Sequence, residues 1–258
     1  MSGLGMIQIR LDAVGLAKFA QEQGLSPAWN KQKPWDEDMS YAVHAWLMAA
    51  FGDMAPKPFR FMTVLKRGRP SGRITLLAYM SFDPSLLRER ALATADPLVL
   101  AASADPDVFT HKHLPEKWTE GTIYDFEILA CPVTRNENAE KDVFLRAVDH
   151  AKALGQKDGE VKRDEVYRDW LIKQLGSSVS VDKDDVRIDG FRVASMFRKT
   201  QRTDEETKRK SKQLRLPLAL FTGKLTVRDS DNFTALLARG VGRHRAFGNG
   251  MILLKPTR

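Results

Sequence analysis

The same order of predicted elements occurs twice along this chain, and that repetition limits the folds open to it. In the first half, apolar periodicity predicts a strand, a helix, two strands, a helix and a strand over residues 4–11, 38–51, 58–65, 74–81, 84–93 and 98–102. The first helix is marked by apolar side chains at helical spacing, Met39, Val43, Trp46, Leu47 and Ala50. The order of the first half is therefore βαββαβ.

The second half repeats this order with little sequence identity to the first. A strand, a helix, two strands, a helix and a strand are predicted over residues 122–130, 164–175, 179–197, 214–227, 230–239 and 251–255. A βαββαβ unit is the ferredoxin-like motif, so we expect an α+β chain of two tandem ferredoxin-like (RRM-like) domains, residues 1–110 and 118–258. The charged, poorly periodic stretches 136–162 and 199–212 are predicted to be irregular loops.

Composition narrows the class of partner. The 258 residues carry a formal net charge of +8, which favours a polyanionic partner, although solubility alone is the alternative explanation. The sequence contains no apolar run long enough for a membrane span and no signal-peptide pattern, so we expect a cytoplasmic protein without a membrane partner. The single cysteine, Cys131, excludes an intramolecular disulfide and a cysteine-based metal site.

A glycine-rich segment near the C-terminus is the most distinctive local pattern. Its glycines follow the spacing G-x-G-x5-G-x-G and enclose three ionisable side chains; the residues are Gly240, Gly242, Arg243, His244, Arg245, Gly248 and Gly250. The segment follows a predicted helix and leads into a strand, the reverse of a dinucleotide-binding fingerprint. We interpret it as a loop whose backbone approaches phosphate closely, with an ordinary glycine turn as the alternative.

Three stretches of the chain resemble one known family in the family's own order. The first covers residues 41–51, with the pattern Y-x-x-H at Tyr41 and His44, and continues through 57–61. The second covers 121–135 with 168–171, and the third runs from 221 into the glycine-rich segment. Together they are similar to the CasE class, the RNA-processing subunit of type I-E Cascade complexes. One departure is the stretch 12–37, which separates the first strand from the Y-x-x-H helix by more residues than in the family.

The resemblance implies a CRISPR-repeat endoribonuclease that works without a metal ion or cofactor. In such chemistry the substrate's own 2′-hydroxyl attacks the adjacent phosphorus, which leaves a 2′,3′-cyclic phosphate and a 5′-hydroxyl. The resemblance assigns His44 the acid/base role and Tyr41 an orienting or proton-relaying role, and both share one face of a predicted helix. From the sequence alone, a histidine beside an apolar helix face remains the alternative. Arg243 and Arg245 are candidate cations for the phosphorane.

We expect the RNA-binding surface to lie mainly in the second half. A basic run interrupted by acidic residues could be a hairpin connection that contacts the phosphates of a repeat stem-loop, or a solvated loop; its cations are Arg198, Lys199, Arg202, Lys208, Arg209, Lys210, Lys212 and Arg215. The implied partners are repeat RNA and other Cascade subunits. Two other readings stay open: a catalytically inactive repeat-binding subunit of an effector complex, and a basic interaction subunit without RNA chemistry.

Overall fold

The chain forms two compact units. The computed structural model describes residues 3–25, 35–63, 65–66, 69–70, 72–94, 96–103, 110–136, 139–156, 159–199 and 211–257. The first unit consists of Met1–Leu114, Ala194–Arg215 and Ala246–Gly248, and the second consists of Pro115–Val193, Leu216–Arg245 and Asn249–Arg258. Each unit is therefore assembled from segments that are distant in sequence.

The first unit is built on an antiparallel sheet. Its elements are β1 (Gly5–Asp12), α1 (Ala13–Glu22), α2 (Trp35–Phe51), a 3₁₀ turn (Gly52–Met54), β2 (Phe59–Met62), β3 (Leu65–Lys66), β4 (Arg69–Pro70), β5 (Arg73–Met80), α3 (Pro84–Thr94), α4 (Pro97–Ala102) and β6 (Thr110–His113). The four-stranded sheet has the order β2-β5-β1-β6, while β3 and β4 form a separate hairpin. Strands β5 and β1 thus pair in the centre of the sheet, and β2 and β6 form its edges.

Alternation along β1 explains how this unit is packed. Ile7, Ile9 and Leu11 are fully buried, while the residues between them are half-buried, so one face of the sheet carries the core. Helix α2 covers that face with Val43 and Trp46, which are 0% and 2% exposed. The core therefore fixes the rotation of α2 about its own axis.

The second unit repeats the arrangement with a longer hairpin. Along the chain from residue 115 the elements are β7 (Ile123–Ala130), β8 (Val133–Asn136), β9 (Ala139–Asp142), α5 (Val143–Ala153), α6 (Arg163–Leu175), a 3₁₀ turn (Gly176–Ser178), β10 (Val179–Ser180), β11 (Arg187–Lys199), β12 (Ser211–Val227), α7 (Ser230–Arg239), a 3₁₀ turn (Arg245–Phe247) and β13 (Ile252–Pro256). The end of β11 from Ala194, the start of β12 up to Arg215 and the turn residues from Ala246 belong to the first unit. The sheet has the order β10-β12-β7-β13, and β11 also pairs with β12. Strands β8 and β9 form a separate two-stranded hairpin.

The predicted fold class is confirmed: the chain is an α+β protein of tandem ferredoxin-like units. The predicted helix at 230–239 has the same bounds in the structure, and the one predicted at 164–175 begins one residue earlier. Both helices have buried apolar faces and are followed by a glycine with a positive φ, Gly176 and Gly240. Asp229 also caps the start of α7, because its side chain accepts a hydrogen bond from the Asn232 amide at 2.9 Å.

The predicted strand at 98–102 is wrong, because these residues form helix α4. Asp96 accepts a hydrogen bond from the Leu98 amide at 2.8 Å, and Pro97 occupies the first helical turn. The run is too short for apolar periodicity to separate a buried helix from a buried strand. An edge strand of this sheet is instead β6, which pairs with β1, and its residues His111 and His113 are exposed.

Two further expectations about loops and bounds are corrected. The stretch 136–162, predicted to be irregular, contains β9 and α5, since Asp142 caps α5 through the Phe144 amide at 2.8 Å. The stretch 12–37, for which no element was predicted, contains α1, capped by Asp12, and the start of α2, which begins at Trp35. The strand predicted over 58–65 ends at Met62. Of the loop predicted over 199–212, residues 200–210 lie outside the described residues, and both flanks belong to strands.

Candidate active site

Tyr41 and His44 lie on the side of α2 next to its buried face. The two side chains are half-buried, and their ring centroids are 6.1 Å apart. The helix is fixed in this rotation by its core residues and by Trp46, whose indole Nε1 donates to the Val99 carbonyl at 2.9 Å. The expected juxtaposition of Tyr41 and His44 is thus present, and water can reach both groups.

A third ring packs against this pair. Phe247 belongs to the short 3₁₀ turn of the glycine-rich segment and to the first unit. Its ring meets the His44 imidazole edge-on at 4.9 Å and stacks on Tyr41 at 6.0 Å with an angle of 22° between the planes. Sequence reasoning missed Phe247, because a single aromatic residue among loop glycines carries no periodic signal. The glycine-rich segment contributes an aromatic ring to the candidate site.

The glycines of this segment are required by the protein's own packing. A Cβ on Gly250 would lie 2.1 Å from the Val241 carbonyl oxygen, and one on Gly248 would lie 3.1 Å from the Phe61 ring. Both residues have a positive φ, +78° and +79°, which L side chains rarely adopt. The segment is closed at its base, since the Val241 amide donates to the Gly250 carbonyl at 2.8 Å. It remains a prediction that the backbone of this segment approaches RNA phosphate at its four glycines, Gly240, Gly242, Gly248 and Gly250.

The ionisable side chains of the segment already have protein partners. Glu140 on β9 accepts from Arg243 Nε at 2.6 Å and lies 2.7 Å from His244 Nε2, one carboxylate oxygen for each. Arg245 Nη1 donates to the Arg239 carbonyl at 2.7 Å, at the end of α7. The side chain of His244 is 9% exposed and that of Arg243 is 43% exposed. Arg243 is therefore the more accessible of the two residues that Glu140 holds.

The pKa of Glu140 is changed by its contacts with Arg243 and His244. Burial would raise the pKa of its carboxyl group, but His244 and Arg243 outweigh burial and hold that pKa below its usual range. The carboxylate therefore remains ionised to a lower pH than that of an ordinary glutamate. Glu140 was not singled out in the sequence, because its partners lie 103 and 104 residues away.

The basic run is only partly described. Arg198 and Lys199 lie in β11, Lys212 lies in β12, and Arg215 is an exposed residue of β12. The remaining cations predicted for this surface, Arg202, Lys208, Arg209 and Lys210, lie outside the described residues.

In the described part of the chain, no set of three or more His, Cys, Asp or Glu side chains is placed to hold a metal ion. Cys131 is buried, and burial raises the pKa of its thiol, with Glu140 and Asp142 adding to the rise. Within the same described ranges, no helix has the length and apolar character that a membrane span requires.

The fold and this site define a class: proteins of two ferredoxin-like units with a Tyr–His pair on a first-unit helix and a glycine-rich loop before the last strand. The sequence model of the family described as "CRISPR associated protein" matches residues 20–256, and the chain belongs to this family. The resemblance stated from the sequence is thereby confirmed at the level of family and fold. No significant relative was found among curated proteins.

Solved structures share the whole fold at low sequence identity. The chain is similar to the CRISPR endoribonuclease Cse3 bound to 19 nt RNA, with 19% identity, a TM-score of 0.57, and coverage of 98% of this chain and 99% of that one. It is also similar to Thermus thermophilus Cse3 bound to an RNA representing a pre-cleavage complex, with 17% identity, a TM-score of 0.53, and 98% and 100% coverage. A subunit of a CRISPR RNA-guided surveillance complex, pre-nicking, matches with 16% identity, a TM-score of 0.51, and 97% and 98% coverage.

Proposed function

We propose that this chain is a metal-independent endoribonuclease that binds CRISPR repeat stem-loops and cuts precursor RNA into mature guides. The observation that carries the proposal is the convergence of Tyr41, His44 and Phe247 on one accessible face of α2. Membership of the CRISPR-associated family supports it, as does a fold shared along the whole chain with Cse3, which is an endoribonuclease seen with RNA. The similarity to a surveillance-complex subunit supports retention of the product RNA within a Cascade assembly.

His44 is the group proposed to move protons. An imidazole titrates near neutral pH, so it can accept the proton of the attacking 2′-hydroxyl or donate one to the leaving 5′-oxygen. Tyr41, whose ring lies 6.1 Å from that of His44, is placed to orient a phosphate or relay a proton. Phe247 restricts the rotation of the imidazole by packing against it at 4.9 Å. Positioning for in-line attack supplies a further part of the rate.

The cations of the second half are proposed to bind the RNA backbone. Arg243, Arg215 and the basic run 198–215 would contact phosphates, because duplex RNA is recognised mainly by its shape, its phosphates and its 2′-hydroxyls. The side chain of His244 is 9% exposed and in contact with Glu140. Its contribution to RNA binding is therefore proposed to be indirect, through the shape of the glycine-rich segment.

A cleavage assay with labelled repeat RNA tests the proposal. We expect cutting to proceed in excess EDTA, because the proposed nucleophile and acid/base groups need no metal ion. A single 2′-deoxy substitution just upstream of the cut should abolish cutting, whereas the same substitution one nucleotide further away should not. Loss of cutting on chelation, with recovery on adding Mg²⁺, would contradict the metal-free mechanism. Tight binding of intact repeat without cutting would favour a catalytically inactive RNA-binding subunit.

A further inference from the structure

Glu140 sits on a firmly held part of the second unit. Its strand β9 pairs with β8, with Glu140 opposite Arg135. Asp142, two residues further along β9, caps α5. Its side chain also accepts hydrogen bonds from Arg163 Nη1 at 3.1 Å and from the Tyr167 hydroxyl at 2.9 Å. Arg163 in turn lies over the Phe144 ring at 4.0 Å. The Glu140 carboxylate therefore projects from a strand that is tied to two helices.

This carboxylate fixes an unusual backbone conformation. His244 has a φ of 60°, the left-handed region in which non-glycine residues are uncommon and strained. Its ring is largely buried, and Nε2 lies 2.7 Å from Glu140 Oε2. The Asn249 side-chain amide also donates to the His244 carbonyl at 3.4 Å. A charge-assisted hydrogen bond to Glu140 can offset the strain at His244.

The same carboxylate orients Arg243 in a specific way. Glu140 Oε1 accepts from Nε of the guanidinium at 2.6 Å, so this hydrogen bond leaves the two terminal nitrogens for another acceptor. Arg245 differs, because it uses a terminal nitrogen, Nη1, to bind the Arg239 carbonyl. A guanidinium held at Nε presents its terminal nitrogens as a fixed fork, the geometry that suits a phosphate. Arg243 is 43% exposed, so the fork can be reached.

We infer that Glu140 is a positioning residue for RNA: it locks the glycine-rich segment and aims the Arg243 guanidinium at a backbone phosphate. This inference rests on the proposed function, since it requires that the segment meet RNA. Simple electrostatics predicts the opposite effect, because a carboxylate beside a phosphate site repels the ligand. Weaker RNA binding after removal of the Glu140 charge would therefore support the positioning role, whereas equal or tighter binding would support simple repulsion.

The test compares repeat-RNA affinity among four variants of the full chain. Glu140→Gln should weaken binding about tenfold, as lost geometry outweighs lost repulsion at one charge-assisted contact. Glu165→Gln is the matched control: it removes one carboxylate from an exposed ion pair with Lys162 in the same unit and should leave affinity unchanged. Arg243→Ala should weaken binding to a similar degree. The Glu140→Gln/Arg243→Ala double variant should lose less affinity than the two single losses combined, because both changes remove the same Glu140–Arg243 contact.

If Glu140→Gln fails to fold, Arg243→Lys tests the orientation of the Arg243 guanidinium instead. This variant keeps the Glu140–His244 contact, which anchors the segment. It retains the charge but loses the fork, so affinity should fall nearly as far as in Arg243→Ala. Equal or tighter RNA binding by folded Glu140→Gln, or unchanged binding by Arg243→Lys, would overturn the inference. Failure of the wild-type chain to bind repeat RNA would instead overturn the proposed function.

Discussion

His244, within the glycine-rich segment, and His44, which contacts Phe247 of that segment, have different surroundings. His44 is half-buried on a helix face, where its ring meets Tyr41 and Phe247. His244 is 9% exposed, has a left-handed backbone, and lies 2.7 Å from the Glu140 carboxylate. A histidine that is buried against a carboxylate suits a structural role, whereas a half-buried one beside aromatic rings at a helix surface suits acid/base chemistry. We therefore expect proton transfer at His44 and a role in loop shape at His244.

The largest expected effect separates these two roles. His44→Ala should reduce single-turnover cutting at saturating protein by about 100-fold or more, with repeat affinity within a few-fold, because a general acid or base is lost. His244→Ala should mainly weaken binding and still cut at saturation. His113→Ala, which removes an exposed histidine of the same unit, is the control and should change neither quantity. Near-normal cutting by His44→Ala would withdraw Tyr41 and His44 as the catalytic pair.

The rigidity assigned to the glycine-rich segment can be broken at Gly250. Gly250→Ala should lower the free energy of unfolding by about 3 kcal/mol or more, because the new Cβ meets the Val241 carbonyl in a strained backbone conformation. Gly121→Ala has a similar φ of +82° with open space around it, and should cost only about 1 kcal/mol. Urea unfolding of both variants measures the difference. Equal losses would show that the close contact at Gly250 relaxes without cost.

Phe247 offers a smaller and sharper test of the aromatic surroundings of His44. Phe247→Ala should slow single-turnover cutting about tenfold, since edge and stacking contacts of this kind contribute up to about 1.5 kcal/mol. Phe247→Tyr keeps the ring and should cut at a nearly normal rate. Phe82→Ala, which truncates an exposed ring of the same unit, controls for the loss of a surface phenylalanine. If Phe247→Ala and Phe247→Tyr lose activity equally, ring packing is not what holds the imidazole.

The smallest expected effect concerns acid stability of the Glu140 contacts. The folded-state pKa of Glu140 lies below its unfolded value of about 4.3, so its ion pairs stabilise the chain above that pH and lose this effect as the pH falls through the folded pKa. Arg243 and His244 are the basic residues that lower this pKa. The difference in melting temperature between wild type and Glu140→Gln should therefore shrink below about pH 4. A constant difference down to pH 2 would mean that Glu140 charge is not involved.

The sequence could predict those elements whose local signals agree. Helices α6 and α7 combine buried apolar faces with clear ends, and periodicity predicted the βαββαβ order of both halves except the last strand of the first half. Helix α4 was mistaken for a strand because six residues are too few to establish a period. Helices α1 and α5 depend on aspartate caps within stretches whose composition resembles loops.

Some residues of the candidate site could likewise be predicted from the sequence, and others could not. Tyr41 and His44 are three residues apart, so their shared helix face was visible in the sequence. Phe247 and Glu140 were invisible there, because each acts through partners from distant segments: Phe247 through α2 and Glu140 through a loop 103 residues away. Side chains of this kind need tertiary structure, or many related sequences, to be recognised.

The closed base of the glycine-rich segment has a consequence for how such a protein can diversify. The hydrogen bond from the Val241 amide to the Gly250 carbonyl, together with that from the Gly250 amide to the Leu129 carbonyl at 2.7 Å, brings both ends of the segment to one point beside β7. A change at an exposed position between those ends, such as Arg243, is therefore not expected to shift α7 or β13, as in other compact surface loops with adjacent ends. We expect variation at such a position to change the RNA that is bound more than it changes the stability of the scaffold.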